Sequence, residues 1–301
     1  MSVLVTTLRA SLEAADRVLD DGRVGAARAS YIDLLERAQD RSDPSMEVMA
    51  RSMLALCLLR VRDLGEAEGQ LEAAERRLEA SSIEAQARFR GAEARVWLER
   101  DERHDVVPRL RAYLAWAEAA GAAAAVLDAC VLLADVLPPE GRVDCLQHGV
   151  EHAVDHGVER GLGRAYGLLG LTLDRQGDHP EALQAWLRAV ECHESAVRVR
   201  PRVGAAWAVG ELACRLEDWP LARESLEAAL ALAEPSQDCS DLEPLILGDL
   251  AGVYEAAGDV IEARRLILRA LGRAREQELH VFAPARHTRL RDVARKLDLD
   301  V

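Results

Sequence analysis

At 301 residues the chain exceeds the usual length of one compact domain, and half of it is apolar although aromatics make up only 4%. A net charge of −14 disfavours nucleic acid as a partner over most of the surface. No apolar run reaches the ~18 residues of a membrane span, and six cysteines without CxxC spacing read as reduced thiols of a cytoplasmic protein. The first residues, Met1 to Arg9, have neither a basic segment nor an apolar stretch of signal-peptide length.

In chain order, a turn signal followed by a helical pattern recurs. It appears as Gly22-Arg23-Val24-Gly25-Ala26-Ala27, Arg62-Asp63-Leu64-Gly65-Glu66-Ala67 and Gly141-Arg142-Val143-Asp144-Cys145-Leu146. It returns as Gly177-Asp178-His179-Pro180-Glu181-Ala182, Glu217-Asp218-Trp219-Pro220-Leu221-Ala222 and Gly258-Asp259-Val260-Ile261-Glu262-Ala263. The copies are about 40 residues apart, the spacing of stacked two-helix units. Seven helical pairs are predicted, roughly over 4–40, 44–80, 84–121, 123–158, 161–197, 202–235 and 242–278, with a capping helix over 284–298. The third pair lacks a glycine turn. Its second helix is placed near Asp105, with Pro108 in the first turn and Leu110, Leu114 and Ala117 facing inward.

The residues around each anchor resemble the tetratricopeptide-repeat (TPR) family. Tyr166-x2-Leu169-Gly170-x2-Leu173 precedes Ala182-x3-Trp186-x2-Ala189, and Ala206-x2-Val209-Gly210-x2-Ala213 precedes Ala222-x3-Leu226-x2-Ala229. The small residues, Gly170 and Gly210 among them, are expected to let the two helices of a hairpin approach closely. The resemblance implies an all-α, right-handed superhelical solenoid, read as one repeat domain over 1–301.

It also implies a function. In TPR proteins the first helices line a concave groove, which here would include Met49, Ser52, Val131, Gly204, Leu245 and Gly248. The partner-binding strip is assigned to Arg164, Leu171, Arg175, Trp207, Glu211 and Arg215. Tryptophan and arginine are enriched at binding hot spots. The three arginines point to a protein partner with acidic and apolar side chains, neither nucleic acid nor membrane. The role read from this is a scaffold or adaptor holding a peptide or helix; the alternative is a module that senses a ligand or peptide.

Catalytic motifs such as GxSxG, HExxH and the P-loop are absent from the sequence, and no enzyme activity and no cofactor are expected. His148, His152 and His156 share one helix face with metal-ligand spacing. The repeat register turns them outward as a solvated stripe, so no metal is expected. Cys57, Cys130 and Cys214 fall at or near packing positions of first helices. Arg286, His287, Arg289, Arg291, Arg295 and Lys296 make the terminal helix basic. The helix dipole accounts for such a cluster; docking of an acidic partner or of a second copy is the other reading.

Overall fold

The computed structural model describes residues 2–100, 103–194 and 198–299. Among them are sixteen α-helices and no strand, in two compact units, Met1–Ala165 and Tyr166–Val301. The first unit holds four hairpins: α1 (Ser2–Asp20) with α2 (Val24–Asp40), α3 (Pro44–Arg60) with α4 (Leu64–Glu75), α5 (Ile83–Glu99) with α6 (Arg103–Ala119), and α7 (Ala123–Val136) with α8 (Pro139–Asp155). The division falls within α9 (Leu162–Gln176), which pairs with α10 (His179–His193). Then follow α11 (Val199–Arg215) with α12 (Trp219–Ala233), α13 (Glu243–Ala256) with α14 (Val260–Glu276), the short α15 (Leu279–Phe282) and the terminal α16 (Pro284–Lys296).

The recurring turn has a simple physical basis. Gly22, Gly177 and Gly258 adopt the left-handed conformation that ends a first helix, and the next residue is the N-cap of the second. Arg62 and Glu217 take the same left-handed geometry in the copies without glycine. The carboxylates of Asp63, Asp218 and Asp259 then accept the backbone N–H three residues on, capping the second helix. Ala27, Ala67, Ala182, Ala222 and Ala263 are each the fourth residue of their helix and fully buried. Each donates its N–H to the carbonyl of the capping residue, the first turn of the second helix.

Two sequence expectations are corrected. Gly141 lies inside α8 and makes no turn; the break comes earlier, at Pro138 and Pro139, because proline starts a helix readily but interrupts its interior. Helix α6 is already formed at Arg103, so Pro108 is its sixth residue. Val106, Leu110, Tyr113 and Ala117 form its buried stripe, with Tyr113 more deeply buried than Leu114.

The small residues act where a hairpin closes. A Cβ on Gly170 would come within 2.6 Å of Trp186 Cδ1, and one on Gly210 within 2.6 Å of Leu226 Cγ. Both contacts join the two helices of a single hairpin.

Candidate functional site

In the first unit, the faces of the first helices are crossed by ion pairs. Asp16 of α1 is almost fully buried, and Tyr31 donates to it at 2.7 Å. Arg88 of α5 forks onto both its oxygens at 3.1 and 2.8 Å. Arg160, in the turn before α9, reaches back to Asp16 at 3.3 Å and Asp20 at 3.0 Å, bringing the two ends of the unit together. Burial opposes the Asp16 charge, but Arg88, Tyr31 and Arg160 together hold its carboxyl below the ordinary aspartate range. Farther along, Arg95 pairs with Asp128 through two hydrogen bonds. Met49, Ser52 and Val131, expected to face a groove, are instead buried. Ser52 donates to the Val48 carbonyl at 2.7 Å, which allows its hydroxyl to sit in the core.

The second unit holds a more open arrangement, centred on Asp249 of α13. Trp207 of α11 donates its indole N–H to Asp249 Oδ2 at 2.7 Å. Arg289 of α16 donates to Asp249 Oδ1 at 2.7 Å and to Glu211 at 3.1 Å. The Arg286 guanidinium lies 5.9 Å from the centroid of the Trp207 ring. These side chains, with Leu245, Gly248, Leu290 and Val293, line a cleft of about 200 Å³. Burial pushes the Asp249 carboxyl up to about 6; Arg289 opposes that shift and Glu211 adds to it.

Of the six residues assigned to the strip, Trp207 and Glu211 line this cleft. Trp207 is half-buried, its indole tied to the following hairpin through Asp249. Arg215, though exposed, is joined to Asp174 of α9, which also lies 3.1 Å from His179 Nδ1. Leu171 and Arg175 are exposed on α9. Arg164 belongs to the first unit and lies 3.9 Å from Asp135. Leu245 and Gly248, expected to be open, are buried, with Leu290 of α16 against Gly248. Asp249 itself was not singled out from the sequence. Its signal is a lone carboxylate in the apolar run Leu245-Ile246-Leu247-Gly248-Asp249-Leu250-Ala251.

In the histidine stripe His148 and His156 are exposed, as the register implied, and His152 is half-buried. His148 Nε2 lies 2.8 Å from Glu118 Oε1, and His156 Nδ1 lies 2.8 Å from the His152 carbonyl. The His152 and His156 rings are 4.2 Å apart, and His152 Nε2 is buried without a hydrogen-bond partner. Among the described residues, no group of three or more His, Cys, Asp or Glu side chains could hold a metal ion. Cys57 and Cys130 are buried and Cys214 half-buried; burial pushes the Cys57 and Cys214 thiols up to about 11, away from thiolate chemistry.

No protein-family model and no curated protein matches the chain. Similar folds occur among solved structures. A STAND signal-transduction ATPase with a tetratricopeptide-repeat sensor, from Pyrococcus horikoshii, aligns with 93% of the chain at a TM-score of 0.66 and 16% identity. The alignment covers 44% of that ATPase chain, so this chain corresponds to less than half of it. The Cut9–Hcn1 hetero-tetramer of APC/C aligns with 90% of the chain and 46% of its own, at 0.53 and 12% identity. A Rap protein complexed with Competence and Sporulation Factor aligns with 97% and 88%, at 0.50 and 12% identity. At such identities the likeness concerns the fold, a TPR-like array of seven helical hairpins closed by a terminal helix. No helix among the described residues is long and apolar enough to cross a membrane.

Proposed function

We propose that the chain is a protein-interaction module, an adaptor that holds a peptide or helix of another protein against the first helices of its second unit. The observation that carries this reading is the surface from α9 to α13. There, exposed Leu171 and Arg175, half-buried Trp207 and the cleft beside it offer apolar and polar contacts on rigid helices. The fold supports the reading by analogy, since one structural neighbour is described as a sensor and two were solved as complexes. Nothing in the cleft suggests a reaction: Asp249 and Glu211 are both paired with Arg289, Arg286 lies against the Trp207 ring, and the half-buried thiol near them has a raised pKa.

The charge of the partner needs revision. Arg215 is joined to Asp174 and Arg164 lies beside Asp135, so two of the three arginines that suggested an acidic partner already face carboxylates. Apolar contact at Leu171 and Trp207 remains the main expectation.

Trp207→Ala would be an ambiguous test, because it also removes a hydrogen bond to a nearly buried carboxylate. Leu171→Glu together with Arg175→Glu is cleaner, since both side chains are exposed. A partner recovered by the full chain from native lysate should be captured at least tenfold less well by this variant, with melting unchanged within about 2 °C. Unchanged capture would mean that the partner binds elsewhere.

A further inference from the structure

The second unit already holds a segment on its proposed binding surface, and that segment shows what the surface accepts. Helix α16 places Leu290 over Gly248, where the missing side chain makes room for it. The next residue toward the N-terminus, Arg289, is received by two carboxylates, Asp249 and Glu211, on different helices. Arg286, one turn earlier, lies over the Trp207 indole. The surface therefore has an aromatic face for one guanidinium, an acidic pair for a second and a glycine shelf for a leucine.

The attachment of α16 is asymmetric. Asp249 is nearly buried, whereas the Arg289 side chain that satisfies it is 63% exposed. Within α16 itself only Leu290 and Ala294 are buried, followed by Leu297 just beyond its end. Its N-terminus has no side-chain cap, and the turn leading to α15 passes through Glu278 in a left-handed conformation that non-glycine residues adopt at a cost. Solvent weakens the hold of the exposed guanidinium, whereas the nearly buried carboxylate still requires a cationic partner. Exchanging one guanidinium for another leaves the carboxylate paired once the exchange is complete, and a segment of like chemistry would also have to cover the apolar surface that Leu290, Ala294 and Leu297 now bury.

We propose that this surface is a docking site for an amphipathic helix from another protein, carrying an Arg-Leu pair preceded by a second arginine one turn earlier, and that α16 is the resident segment such a partner displaces. The inference rests on the reading of the second unit as a protein-binding surface and gives its partner a charge: cationic and apolar. Charge complementarity supports it, because the receiving groups are Asp249 and Glu211 in a chain of net charge −14.

The test uses a fluorescent peptide with the sequence of residues 284–299 and the full-length chain. Fluorescence anisotropy should show weak binding to the unaltered chain. The Arg289→Ala chain, in which α16 has lost its ion pairs, should bind at least tenfold more tightly. Adding Asp249→Asn to that variant should remove most of the gain, and circular dichroism should show that each variant keeps its helices. If Asp249→Asn prevents folding, Glu211→Gln in its place should reduce the gain by a measurable fraction.

A scrambled peptide of identical composition tests whether net charge alone is responsible; equal binding by that peptide would overturn the proposal. So would failure of Arg289→Ala to improve binding, which would make α16 a permanent cap. A dimer of the Arg289→Ala chain that excess peptide cannot dissolve would also overturn it, by assigning the surface to the α16 of a second copy. If partner capture depends on Leu171 and Arg175 but the peptide never binds, this inference fails and the function proposed above stands.

Discussion

Leu290 of α16 occupies the space that a side chain at position 248 would need: a Cβ on Gly248 would overlap Leu290 Cδ2. The contact joins the terminal helix to the first helix of the last hairpin, and its neighbour Arg289 adds ion pairs to α11 and α13. The terminal helix thus does two things. It covers apolar side chains of the last hairpin, as the ends of repeat arrays require, and it sits on the surface to which we assign partner binding.

Gly248→Ala separates these roles. Alanine is favoured over glycine in a helix by about 1 kcal/mol, whereas the overlapping atom is the end of a flexible side chain that can turn aside. The two effects should nearly cancel, leaving the melting temperature within about 3 °C of the unaltered protein. Leu290, however, must leave its shelf. Hydrogen exchange across 284–297 should quicken severalfold while α11 to α14 keep their protection; unchanged exchange in α16 would show that Leu290 contributes little to its attachment.

Gly170 and Gly204 should respond to alanine in opposite directions. A Cβ on Gly170 meets the rigid Trp186 indole at 2.6 and 2.7 Å, so Gly170→Ala forces the helices of that hairpin apart. Overpacking of this kind typically costs about 1–3 kcal/mol, and thermal unfolding should register a lower melting temperature. Around Gly204, inside α11, nothing lies within 4 Å of the added carbon. Gly204→Ala should stabilise by about 0.5–1 kcal/mol through reduced backbone freedom. Shifts of the same sign would contradict the packing described for these positions.

Asp249 should leave a mark on the pH dependence of stability. Its carboxyl is pushed up to about 6 in the folded protein, mainly by burial, from an ordinary value near 3.8. Between those limits the folded state holds a proton that the unfolded state has released. The Asp249 contribution therefore falls as pH rises from about 4 to about 6, by an amount on the order of 2–3 kcal/mol at about 1.4 kcal/mol per pKa unit. Arg289 and Trp207 donate hydrogen bonds to it, and the charges of Arg289, Glu211 and Arg215 act on it. Chemical denaturation at several pH values should show the unaltered chain losing stability relative to Asp249→Asn across this window. A difference independent of pH would mean that Asp249 is charged throughout.

Much of the architecture was legible because its causes are local. A left-handed residue, a capping aspartate and a small fourth residue lie within six positions, so the turn at Gly258-Asp259 and the buried Ala263 can be read directly along the chain. The same locality explains the errors. Gly141 imitates the turn, but Pro138 and Pro139 start the helix first, and Pro108 was placed in a first turn although α6 begins earlier.

The sequence by itself determined that the chain forms paired helices, where most of those pairs turn, and which small residues permit close packing, because helix periodicity and capping act over one or two turns. Only the tertiary structure decided which charges meet. Asp249 and Arg289 are 40 residues apart, and Asp16 and Arg160 are 144 apart. Their approach depends on how successive hairpins stack, an outcome of many side-chain contacts at once. The sequence led to a strip expected to attract acidic partners through its arginines. Folding placed Arg215 against Asp174, buried most of Asp249 beside Trp207 and brought Arg289 of the terminal helix to the same carboxylate, none of which can be read from local sequence.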